Sequence, residues 1–119
     1  MYKFFAFLDR MKYIKRWSLM RSVREENIME HTEQVAVIAH ALALIGNRFF
    51  GKNTDAKEAA LYALYHETGE VITGDLPTPI KYFNEDIRTA YKDLETKAGA
   101  KLLAMLPPEL AEEYEKYVL

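Results

Sequence analysis

Apolar residues return every three or four positions along most of this chain, and nowhere over a strand's length do they alternate strictly with polar ones. The pattern predicts an all-α fold. Phe4, Leu8 and Met11 form the stripe of a short first helix, which gives way to the polar, basic loop KRWSLMRSVREEN. The second helix has the clearest period: His31, Val35, Ile38, Leu42, Ile45 and Phe49 are spaced 4, 3, 4, 3, 4 and so share one face. GKNTDAKEA reads as a turn and a helix start, with Thr54 or Asp55 as N-cap and Glu58 in the first turn. The third helix is expected from about Ala56 through YHETGE, placing Ala59, Ala63, His66 and Glu70 on one face.

Gly74, Pro77 and Pro79 then predict an irregular stretch over TGDLPTPIKYFN, because proline breaks a helix and biases the preceding residue toward extended backbone. Asn84 is a natural N-cap for a fourth helix, with Glu85 and Asp86 placed well against its dipole. Its stripe is Ile87, Tyr91, Leu94, Ala98, Leu102 and Met105. Pro107 and Pro108 end that helix and open a fifth, on which Leu110, Tyr114 and Tyr117 align. The expectation is a single domain, residues 1–119, built as a bundle of about five helices, with no repeat and no low-complexity tract.

Composition narrows the chemistry. Half of the residues are hydrophobic, which is too many for a disordered chain. Cysteine is absent, so a disulfide framework, a thiolate metal site and a cysteine nucleophile are all excluded. The net charge of −2 offers no general attraction to polymeric nucleic acid or anionic lipid. The opening run MYKFFAFLDRMKY is cut by Asp9, Arg10 and Lys12 and has no small-residue cleavage site, and no later stretch is apolar enough to span a membrane; a cytoplasmic protein is expected.

The candidate chemistry lies in YHETGE, Tyr65 to Glu70. A lone histidine such as His31 on an apolar face is ordinarily a core residue with satisfied ring nitrogens, and a glutamate near a helix end is ordinarily solvated. Together, His31, His66, Glu67 and Glu70 read differently. Adjacent helical residues diverge by about 100°, so a cation between His66 and Glu67 meets both, and Glu70 lies one turn on. Imidazole and carboxylate groups converging in a half-buried place carry a desolvation cost that a divalent cation offsets. The HExxE pattern departs from the HExxH zinc motif at its second histidine, so a zinc-protease reading fails. His40 falls about 180° around the helix from His31 and is left out.

Taken in order, RWSLMR, the pair Glu30 and His31, YHETGE and above all TGDLPTPIKYFN resemble the HD-domain 5'-deoxynucleotidases, the YfbR-like branch of the HD phosphohydrolases, over nearly the whole chain. The resemblance implies an HD-like helical fold and a metal-dependent phosphohydrolase that removes the 5'-phosphate from nucleoside monophosphates, commonly as a homodimer. It implies a cobalt, manganese or zinc ion held by His31, His66 and Glu67, the last standing where the family has aspartate. It assigns Glu70 to acid/base work, Arg16 and Trp17 to the phosphate and sugar, and Asp75 to a sugar contact. A fourth ligand, an aspartate, is expected beyond residue 119, so the chain is expected to lack the C-terminal part of the family fold. Two other readings stand beside the enzyme. One is an HD-like module that binds nucleotides without cleaving them, and the other is a helical interaction domain using Leu110, Tyr114 and Tyr117. By residue type alone, Arg16 also reads as a solvated arginine and Trp17 as a hydrophobic anchor.

Overall fold

The structure, a computed structural model, describes residues 2–16 and 24–119. It is helical, as the periodicity predicts: α1 (Phe4–Leu8), a 3-10 helix (Asp9–Tyr13), α2 (Ile28–Phe49), α3 (Ala56–Tyr65), α4 (Glu70–Thr73), α5 (Thr78–Lys81), α6 (Glu85–Leu103) and α7 (Pro108–Val118). Among the described residues, extended pairing is confined to one antiparallel bridge between Lys15 and Asn27. There the Arg16 N–H donates to the Glu26 carbonyl at 2.7 Å and the Ile28 N–H to the Ile14 carbonyl at 2.8 Å.

The helix starts follow from their caps. Asn27 closes a capping box: its side-chain oxygen accepts the Glu30 N–H at 2.8 Å while its own N–H donates back to the Glu30 carboxylate at 3.4 Å. Asp55, rather than Thr54, caps α3, and Asn84 caps α6. The α3 helix stops at Tyr65 instead of running through YHETGE. Thr68 accounts for the break: its hydroxyl and its N–H both donate to the Tyr65 carbonyl, at 2.6 and 3.1 Å. The acceptor that would have continued the helix is thereby taken by a tighter turn. The Pro-flanked stretch is also more ordered than predicted, since Pro77 leads into the single turn of α5. Gly74 permits the corner before it, with φ +74° and ψ 171°, a conformation reserved in practice for glycine.

The core joins Phe4, Met11, Ile28, Val71, Leu102, Leu103 and Leu106. Ile28 lies three residues before His31 and Val71 directly follows Glu70, so the start of α2 and the α4 turn are anchored to the same apolar cluster. Each such side chain contributes about 1.5–3 kcal/mol by leaving water.

The stripes fare unequally. Phe4 and Met11 are buried as predicted, and so are Tyr91, Ala98 and Leu102 of α6, whereas Leu94 is exposed. On α2 the buried residues are Ile28, Thr32 and Ala43, while Ile38, Leu42, Ile45 and Phe49 of the predicted stripe are open, Leu42 at 63% and Phe49 at 73% exposure. The aromatic residues of α7 are half-buried: Tyr114 packs edge-on against Tyr65 and Tyr117 against Tyr62, and the Tyr117 hydroxyl donates to Glu58 at 2.9 Å. That corrects the interaction-face reading of Leu110, Tyr114 and Tyr117, of which Leu110 is the exposed member.

Candidate metal centre

Two imidazoles and a carboxylate converge where α2 begins and α3 ends. One ligand atom from each of His31, His66 and Glu67 lies within 4.8 Å of the others, and the two rings are 6.0 Å apart centroid to centroid. His31 sits in the first turn of α2, which the Asn27 capping box and buried Ile28 hold in place. His66 is the residue on which α3 ends. Its Nδ1 contacts the Ala63 carbonyl, which can only accept, so Nδ1 carries the hydrogen and Nε2 is the nitrogen presented to a cation. Nε2 lies 2.9 Å from the Glu67 carboxylate.

Electrostatics separate the members. Burial, and then the Arg16 charge, push His31 below the ordinary imidazole value, which leaves it neutral with a lone pair to give. The hydrogen bond to Glu67 raises His66. Burial acts to raise Glu67, but hydrogen bonds from His66 and Glu70 prevail and bring it down to about 2. Burial and the hydrogen bond to ionised Glu67, aided by the charge of Asp75, push Glu70 up to about 10, with Lys81 opposing. One carboxylate of this pair is therefore ionised and the other protonated. The second oxygen of Glu70 is buried without a partner. A neutral imidazole, an oriented Nε2 and an ionised carboxylate make a nitrogen and oxygen donor set that fits a divalent cation.

A cleft of about 370 Å³ adjoins this cluster, lined by His66, Glu67, Glu70, Thr73, Lys81 and Glu95 among others. Arg16 is near enough for its charge to oppose protonation of both histidines, and its guanidinium donates to Glu26 at 3.2 Å. Asp75 acts on Glu70 through its charge. Trp17 lies outside the described residues, and His40 is exposed and apart from the cluster, as its helical angle predicts. Lys81 was not singled out by the sequence reading. Its only mark there is to close the GDLPTPIK segment, with no periodicity to point it at the cleft.

Fold and cluster together define a helical protein in which two histidines and a carboxylate form a donor set that fits a divalent cation. A family model for YfbR-like 5'-deoxynucleotidases matches residues 3–119, and the chain belongs to that family. It is 54% identical over 116 residues to 5'-deoxynucleotidase VV1113 of Vibrio vulnificus, covering 98% of this chain and 60% of that protein. It is 59% identical over 111 residues to 5'-deoxynucleotidase plu3092 of Photorhabdus laumondii, covering 93% and 56% respectively. Over 107 residues it is 58% identical to 5'-deoxynucleotidase YfbR of Escherichia coli, covering 90% and 54%. The chain thus spans somewhat more than half the length of these relatives. Among the described residues, no helix is long and apolar enough to cross a membrane.

Proposed function

We propose that this site belongs to a metal-dependent phosphohydrolase that removes the 5'-phosphate from deoxyribonucleoside monophosphates. The observation that carries the reading is the convergence of His31, His66 and Glu67 within 4.8 Å. His31, His66 and Glu67 would hold the ion. A bound divalent ion supplies polarisation of a phosphate oxygen and acidification of water. The remaining work falls to side chains. The proton on Glu70 is available to a leaving oxygen within about 3 Å, after which its carboxylate accepts one from water. Arg16, held by Glu26, and Lys81, in the cleft, offer positive charge to the phosphate. Asp75 and Trp17 are assigned to the sugar on the strength of the family resemblance.

The donor set suits cobalt, manganese or zinc alike. Glu67, one methylene longer than aspartate, favours a second reading in which nucleotide binds without turnover. Metal analysis of the purified protein, with phosphate release measured on deoxy- and ribonucleoside monophosphates, separates the two. Bound metal with no release under any divalent ion rejects the enzyme. A homodimer forms part of the proposal, supported by the open apolar face of α2 at Ile38, Leu42, Ile45 and Phe49. So does a cytoplasmic location, supported by the lack of a spanning helix among the described residues.

A further inference from the structure

Lysine is a poor fixed charge, because its ammonium sits on four rotatable methylenes and loses much rotamer freedom when held. Lys81 ends the one-turn helix α5, an element too short to orient a long side chain by itself. Its surroundings hold it instead. The Lys81 ammonium lies 4.9 Å from the centroid of the Tyr91 ring and 4.0 Å from the Glu95 carboxylate. Tyr91 and Glu95 are one turn apart on α6, a helix whose start is fixed by the Asn84 cap. The two supports differ in stiffness. Glu95 is half exposed, so its pairing with Lys81 is weak and screened by salt. Tyr91 is only 8% exposed and its ring is locked in the packed face of α6. It is the Tyr91 ring, over which the ammonium sits, that meets the lysine. Lys81 so held lines the cleft that His66, Glu67 and Glu70 also line.

We propose that Tyr91 is a positioning residue: the face of its buried ring holds the Lys81 ammonium in the cleft, so that an anionic substrate group entering beside His66 and Glu67 meets a fixed positive charge. The inference rests on the phosphohydrolase reading for its substrate, but it concerns binding of the anion and not turnover. A double-mutant cycle tests it, with Lys81→Met, Tyr91→Met and the double variant. KM and kcat are measured on deoxyadenosine monophosphate, and Kd on inorganic phosphate with manganese present.

Tyr91→Met is expected to raise both KM and the phosphate Kd about fivefold, the size of a cation and ring contact in a sheltered place, with kcat little changed. Tyr91→Phe restores most of that loss, because the ring and not the hydroxyl acts. In the Lys81→Met background, Tyr91→Met adds less than about twofold. Equal weakening by Tyr91→Met in both backgrounds, or no weakening by Lys81→Met, overturns the proposal, and so does a wild type that binds no phosphate. A wild type that binds phosphate but hydrolyses nothing rejects the phosphohydrolase reading alone, because the cycle is still read from phosphate binding. If Tyr91→Met does not fold, the proton resonances of the Lys81 ε-methylene in the wild type decide: an upfield ring-current shift supports the contact, and random-coil positions overturn it.

Discussion

His66 serves two neighbours at once: Nδ1 is tied to the Ala63 carbonyl, and Nε2 faces Glu67 at 2.9 Å. On the proposed metal reading, replacing it removes a donor and frees the carboxylate, so His66→Ala is expected to abolish stoichiometric metal, read by elemental analysis after dialysis. Glu70 lies beside the proposed donors and is held protonated by its surroundings, so Glu70→Gln should keep metal and lose roughly 10²- to 10⁴-fold in kcat, the range for removal of a general acid and base. Equal loss of metal in both variants contradicts these roles. The pair also predicts a pH dependence in the metal-free protein. Glu70 keeps its proton up to about 10, whereas an unfolded chain releases it near the ordinary 4.5, so its contribution to stability falls as pH rises between those values. Glu67, held near 2, contributes in the opposite sense: its share is present above 4.5 and is lost as pH drops toward 2. The melting temperature of the metal-free wild type should therefore fall from about pH 6 to about pH 9, and Glu70→Gln should flatten that fall. At this scale the sequence was most legible. The structure brings His31, His66 and Glu67 within 4.8 Å, which imidazole and carboxylate types one residue apart on one segment and at the start of another led one to expect. Lys81 gives no such sign, because its partners Tyr91 and Glu95 are fixed only by how α5 meets α6.

Among the elements, caps and prolines were readable and endings were not. Asn84 and Asp55 cap as their residue types predict, since a short acceptor side chain before an apolar period has few other uses. The end of α3 at Tyr65 escaped the pattern because periodicity continues through His66 and Glu70 while Thr68 diverts the hydrogen bonding. That diversion gives the cluster its directions: His66 is the residue after the last of α3, Glu67 lies in a turn, and Glu70 opens α4. Two substitutions test how the elements hold the site. Asn27→Ala removes the capping box under His31 and should cost about 1 kcal/mol, measured by denaturant unfolding. Gly74→Ala forces a side chain into a glycine conformation and should cost about 1–3 kcal/mol. There is no clash to relieve there, since nothing lies within 4 Å of the added carbon. A loss by Gly74→Ala of less than a few tenths of a kcal/mol would show that the corner can relax.

For the molecule as a whole, α2 is the exception to the expected pattern of a covered apolar stripe. Its first turn is in the core, but Ile38, Leu42, Ile45 and Phe49 are open, as are Val37 and Leu44 on other faces. A helix apolar around most of its circumference is ordinarily buried. Concentration-dependent association is therefore expected in light scattering, and Leu42→Glu should shift the protein toward monomer while leaving the metal stoichiometry unchanged. A monomer at every concentration would remove the support that this face gives to a dimer. The sequence showed the stripe but not its exposure, because periodicity tells which residues share a face and not what lies opposite.

The stitch between Lys15 and Asn27 carries a consequence for how such a protein can change. The Arg16 amide donates to Glu26 and the Ile28 amide to Ile14, so the backbone at 15–16 is held against that at 26–28 whatever joins them in sequence. Closing a longer excursion at fixed ends costs only about 0.6 kcal/mol per doubling of its length. A change of length in the sequence joining those two points therefore costs little of the stability that holds His31 at the start of α2.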